Sequence, residues 1–188
     1  SHELRNPLAV IRANLDVVLG DPKTTLEEFR LSGEVASRAA IRMSALVDDL
    51  LLLAYHEKRD THREPTLLSQ VVSETVEDFS VFAKKNNAVL TVEMTPEIKV
   101  IGDAAALRRA LANLLSNAIR VVGSGGEVRV LGGQDTEQVW VSVEDNGPGL
   151  SVEDLDHVFQ RFWKGKGAGG KESGRSGLGL AIVRQIVE

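Results

Sequence analysis

Residues 1–18, SHELRNPLAVIRANLDVV, set Leu4, Leu8, Ile11, Leu15 and Val18 at alternating steps of four and three. A helix of about 3.6 residues per turn brings such positions onto one stripe, which is the seam of a coiled coil. GDPKTT at 20–25 then stops the helix, and Thr24 or Thr25 can cap the next one, with Glu27 or Glu28 three residues on closing a capping box. Phe29, Gly33, Ala36, Ala40, Met43, Val47, Leu50 and Ala54 carry the rhythm forward, with Leu46 and Leu53 widening the stripe. The pattern predicts an antiparallel helical hairpin. Two helices alone cannot cover both stripes, so a second copy completing a four-helix bundle is expected, giving a homodimer through residues 1–57.

Outward from the hairpin, the charged run HEKRDTHREPT at 56–66 breaks the periodicity and ends near a proline, as a linker does. The expected domains are residues 1–62, truncated at its N-terminus, and residues 63–188, truncated at its C-terminus; the chain opens and closes inside helical patterns and reads as a piece of a longer one. In the second domain, 67–85 and 103–122 are amphipathic helices, 88–94 and 98–102 short strands, and 126–133 with 138–145 a strand pair with Val139, Val141 and Val143 on one face. A short acidic helix, a glycine-rich loop and a final helix from about Gly177 follow. This order predicts an α+β fold, the helical hairpin followed by a two-layer α/β sandwich.

Composition narrows the function. With 188 residues, 43% of them hydrophobic, the chain can build a real core, while a net charge of -5 argues against a broad nucleic-acid surface. Any phosphate site must be local. No cysteine is present, which excludes disulfides and thiolate metal sites, and no apolar run approaches the length of a membrane span.

Four stretches carry chemistry. His2 lies about 200° round the helix from Leu4 and so is expected to face solvent, with Glu3 beside it and Asn6 one turn on along the same outer face. Pro7 removes an N–H and crowds the Glu3 carbonyl, so a kink is expected there. An exposed imidazole next to a carboxylate is a plausible nucleophile with its base, against the plainer reading of a solvated helix face. In the helix after residue 103, Asn113 and Asn117 share one face, with Arg120 a turn beyond. Asparagine is a poor helix former, and its amides suit Mg²⁺ or phosphate oxygens, or else they cap a neighbouring loop. DNGPGL at 145–150 offers Asp145, Gly147 and Gly149 in a turn. SGLGLAIV at 176–183 places Gly177 and Gly179 at a helix start, where free N–H groups cradle phosphate; a Walker loop is excluded because GK[ST] is absent.

Together and in this order, the stretches resemble the catalytic part of bacterial sensor histidine kinases of two-component systems. The phosphoacceptor box is SHELRNPL, the N box LANLLSNAIR, the G1 box DNGPGL, the F box VFQRFWKG and the G2 box SGLGLAIV. The resemblance implies a dimerisation and histidine-phosphotransfer hairpin, then an ATP-binding sandwich of the kind shared with gyrase and heat-shock chaperone ATPases. It implies that His2 takes the γ-phosphoryl group of ATP, that Glu3 is its base or orienting acid, and that the phosphoryl passes to an aspartate of a response-regulator domain. Asn6 would position water for dephosphorylating that regulator. Asn113 and Asn117 would hold Mg²⁺ and phosphates, Asn117 as the metal ligand, with Arg120 as a phosphate-contacting cation. Asp145 would bond the adenine amine, Gly147 and Gly149 would shape its pocket, and Lys164, Gly177, Leu178 and Gly179 would complete the nucleotide set. A membrane-anchored parent with this part in the cytoplasm is likewise implied.

Hydrolytic relatives place a glutamate where Asn113 stands, so the resemblance points to a kinase over an ATPase. A degenerate ATP-binding scaffold is the alternative, and an anti-sigma serine kinase is opposed by the histidine hairpin. Departures from the pattern are Val121 in place of an aromatic, Gln160 in place of an acid, and Arg175 in place of a glycine, where either Gly174 substitutes by a one-residue shift or Arg175 reaches a phosphate. Phe159, Phe162 and Trp163 are expected to keep the apolar anchor of the F box.

Overall fold

The computed structural model describes residues 2–55, 63–165 and 176–188, with the side chains of His2 and Tyr55 outside that description. It divides into two compact units, one built on residues 1–57 and the other chiefly on 58–168 with 177–188.

The first unit is the hairpin. Helices α1 (His2–Gly20) and α2 (Leu26–Tyr55) pack together. α1 is helical through Pro7 without interruption. Of the two candidate caps Thr25 is used: its N–H and hydroxyl donate to Glu28 Oε2, both at 2.8 Å, and the Glu28 N–H donates back to Thr25 Oγ1 at 3.3 Å. The buried stripe of α2 runs along the edge where Leu46 and Leu53 were expected to widen the heptad, not along its centre. Ser32, Ala39, Leu46 and Leu53 are buried, whereas Phe29 and Val47 are 42% and 39% exposed. On α1, Val18 is buried while Leu8 remains 55% exposed. Each helix thus has two adjacent stripes: one closes the hairpin, and the other, with Leu8, Leu15, Phe29 and Val47, is uncovered within the single chain. Ser32 Oγ donates to the Asn14 carbonyl across the seam at 2.8 Å, so the tight packing at this level is polar.

The second unit is the sandwich. Strands β1 (Glu64–Leu67) and β3 (Lys99–Gly102) pair antiparallel; β2 (Val89–Met94) runs parallel to β4 (Glu127–Gln134), which pairs antiparallel with β5 (Val139–Asp145). The end of the expected linker is therefore strand, because Pro65 needs no ladder N–H at the edge of a two-stranded sheet. Helices α3 (Leu68–Lys85) and α4 (Ala104–Val121) cover the sheet, enclosing Val72, Ile98, Leu115, Ile119, Val128 and Val130. α4 starts where it does because the Asp103 carboxylate accepts from the Ala105 and Ala106 N–H groups at 2.8 and 3.1 Å. Val141 and Val143 pack against the core as expected, while Val139, at the strand end, is 36% exposed. The short α5 (Val152–Leu155) is capped by Ser151, and α6 (Gly179–Val187) packs on α4. α6 begins two residues later than expected because Gly177 has φ of +69°, outside the helical region. Among the described residues, no helix is long and apolar enough to cross a membrane.

Candidate functional site

Asn113 is the centre of the second unit's site. Helix α4 turns it toward α6, where a Cβ on Gly179 would lie 3.1 Å from Asn113 Oδ1, so only a glycine leaves the amide undisturbed. Among the described residues, Asn113 Nδ2 is buried without a hydrogen-bond partner. A buried donor left unmet costs about 1–3 kcal/mol, so this amide marks a place for a water, an ion or a ligand oxygen. One turn further along the same face stands Asn117, half-buried. The first N–H groups of α6 lack intrahelical acceptors, and its N-cap Leu178 supplies no side-chain bond to them. An amide donor and a helix start thus meet where an anion would be held.

The end of α4 leads to the turn after β5. Asp145 Oδ1 accepts from the Gly147 N–H at 2.9 Å, while Oδ2 has no partner among the described residues and can accept from an amine. A Cβ on Gly147 would come within 2.7 Å of that Oδ1 and 3.3 Å of Val121 Cγ2, so alanine there would displace the carboxylate. Gly149 has φ of +71° with open space around it; its requirement is the backbone angle. Two more residues shape this turn, Val121, met in the sequence only as a departure from the N-box pattern, and Asn146, which sequence reasoning did not single out. Val121 packs beneath Gly147, and Asn146 ties the turn to β4, its Oδ1 accepting from the Glu127 N–H at 2.8 Å and its own N–H donating to the Glu127 carbonyl at 3.2 Å. The asparagine of DNG was a usable signal for that clamp.

At the other rim, Phe162 holds φ of +66° and its N–H donates to the Gly177 carbonyl at 2.8 Å. A Cβ on Gly177 would meet the Phe162 carbonyl carbon at 2.6 Å, so this crossing requires glycine for space as well as for angle. The F box is anchored differently from expectation. Val158 is buried, Trp163 half-buried, and Phe159 and Phe162 are 45% and 38% exposed. Lys164 is exposed, and the Leu178 side chain, 0% exposed, belongs to the core. Arg120 does not lie over Asn113; its guanidinium stacks 5.5 Å from the centroid of Phe82 on α3. Gly174 and Arg175 lie outside the described residues.

In the hairpin, His2 occupies the first position of α1, and its side chain lies outside the described residues. Glu3 is half-buried and Asn6 exposed, one turn apart at i and i+3.

Family models agree with this division. Residues 1–59 match the His Kinase A (phospho-acceptor) domain, and residues 102–188 match the histidine kinase-, DNA gyrase B- and HSP90-like ATPase. The solved mycobacterial sensor histidine kinase MprB is 34% identical, with 66% of this chain and 79% of that one superimposing at a TM-score of 0.59. This chain belongs to the sensor histidine kinases. Acinetobacter baumannii histidine kinase AdeS is a structural match to this histidine kinase at a TM-score of 0.75 and 25% identity, with 100% of this chain and 86% of that one covered. The signal transduction histidine-protein kinase/phosphatase MprB of Mycolicibacterium paratuberculosis is 35% identical over 193 residues, which cover 99% of this chain and 36% of that protein. The chain spans less than half the length of the curated relatives it matches.

ATP is the nucleotide this family's ATPase fold takes, and the residues present fit it: the buried Asn113 amide, the α6 start and the Asp145 carboxylate are donors and acceptors of the required kind. Among the described residues no group of three or more His, Asp or Glu could hold a metal by itself. One neutral amide oxygen from Asn117 suits Mg²⁺, which keeps several waters and takes its remaining ligands from phosphates.

Proposed function

We propose that the chain is the catalytic part of a protein histidine kinase that phosphorylates itself on His2 and passes the phosphoryl group to an aspartate of a response regulator. The observation that carries this reading is the buried, unpartnered Asn113 amide against Gly179 at the start of α6. Asp145 would accept from the adenine amine of ATP, Asn113, Asn117, Arg120 and the glycines of the G2 box would hold its phosphates, and Gly147 and Gly149 would shape the base pocket with Lys164 at its edge, while Leu178 supports the G2 box from the core. Asn117 would contribute an oxygen to Mg²⁺, whose charge would offset that of the phosphates. An imidazole nitrogen of His2 attacks in line: the N–P bond forms as the P–O bond to ADP breaks, and Glu3 balances the imidazolium. Because the hydrolytic base is replaced by Asn113, water competes poorly. Asn6 positions water for the reverse reaction on the regulator. The working unit is a homodimer through residues 1–57, with the functional boundary between residues 62 and 63, on the cytoplasmic side of a membrane-anchored parent.

Incubation with γ-labelled ATP and Mg²⁺ tests the reading. Acid-labile, base-stable label that is lost in His2→Gln is the expected result. No label from a chain that dimerises and binds ATP would replace the kinase by a scaffold.

A further inference from the structure

Arg120 belongs to the proposed nucleotide set, yet the fold turns its side chain away from Asn113 and toward Phe82. α4 is flanked on one side by α3, where Arg108 bonds Glu74 and reaches Asp78 at 3.3 Å, and on the other by α6, where Asn113 meets Gly179. Arg120 follows Asn117 by three residues and could lean to either flank. It leans to α3. Its guanidinium stacks on Phe82, 5.5 Å from the ring centroid, and among the described residues it makes no ion pair or hydrogen bond. The ring is itself fixed: Phe79 packs edge-on against it at 6.1 Å and 88°, and the Asn86 side-chain amide donates to the Phe82 carbonyl at 2.8 Å. Five guanidinium donors are thus left unused by a cation resting on a π face.

We propose that Phe82 is a positioning residue that parks Arg120 on the α3 flank until a polyphosphate draws it across α4. The proposal rests on the nucleotide reading above. Stacking leaves the cation solvated and weakly held, so triphosphate oxygens offering charge-assisted, bidentate bonds outcompete the ring. The ring therefore opposes nucleotide binding through Arg120 and sets how strongly the site responds to phosphate charge. Adenosine, lacking phosphates, would leave Arg120 where it is.

Calorimetry on the full chain tests this with Mg-ATP and with adenosine. Phe82→Leu keeps the apolar packing but removes the quadrupole, and should tighten ATP by about two- to fivefold, the range of an exposed cation–π contact. Adenosine affinity should not change, and the gain should vanish when Arg120→Met is added. Phe82→Trp, a better cation–π partner, should weaken ATP. Unchanged or weaker ATP binding in Phe82→Leu, an equal gain for adenosine, or a gain that survives Arg120→Met overturns the parking. If Phe82→Leu does not fold, Phe82→Trp decides alone, and unchanged or tighter ATP binding overturns the proposal. A wild type that binds no ATP overturns the nucleotide reading and the parking with it, whereas binding without coupling overturns the parking only.

Discussion

The sandwich closes its core within one chain and the hairpin does not. In the sandwich Ile98, Leu115, Ile119, Val128 and Val130 are at most 1% exposed, and β-branched side chains of the sheet meet two helices. In the hairpin the stripe formed by Leu8, Leu15, Phe29 and Val47 has no cover. The difference is one of geometry: a sheet face is wide enough for two helices to roof, whereas two helices offer each other one seam apiece. The stability of the first unit should therefore depend on concentration and that of the second should not.

Leu115→Ala should produce the largest effect, a loss of about 2–5 kcal/mol, because a fully buried leucine leaves a cavity in a closed core. Denaturant titration should show the sandwich midpoint falling equally at all protein concentrations. Leu8→Glu should act on the other unit, lowering self-association by about tenfold or more in sedimentation, since a charge replaces an apolar side chain on the uncovered stripe. A concentration-independent hairpin melt in the wild type would remove the comparison. Asn113→Ala should weaken ATP binding by about 1–3 kcal/mol while leaving self-association unchanged, because the amide belongs to the closed unit.

These effects fall on features that differed in how far the sequence revealed them. Heptad spacing disclosed the hairpin, but the same spacing carries two stripes, and periodicity alone does not say whether Leu46 and Leu53 or Phe29 and Val47 face α1. The helix that carries Asn113 and Asn117, the turn after Asp145 and the helix start near Gly177 were legible because each is local. Gly177 was legible as a glycine, yet its close crossing with Phe162 is between residues distant in sequence and leaves no local trace. The stacking of Arg120 on Phe82 spans two helices and was likewise silent in the sequence. Phe159 was expected as an anchor because the F-box resemblance implies it, whereas Val158 is the buried side chain of this segment.

The smallest effect concerns the carboxylates that brace each unit from its surface. Thr25→Ala removes the cap of α2 and should cost about 1 kcal/mol of hairpin stability, read from the dimer melt. Its partner Glu28 is held below its ordinary 4.5 first by the Thr25 backbone N–H and then by the Thr25 hydroxyl. In the sandwich Glu74 is held below 4.5 first by Gln70 and then by Arg108. Both carboxyls bind their proton less readily folded than unfolded, so the unfolded chain holds more protons in that range. The stabilisation is complete above 4.5 and is lost as pH falls through the lower folded values, so acid should loosen each unit at its own brace. Glu28→Gln should flatten the acid limb of the hairpin melt and spare that of the sandwich, and Glu74→Gln should do the converse. If either substitution flattened both limbs, the two units would not be separate in their response to acid.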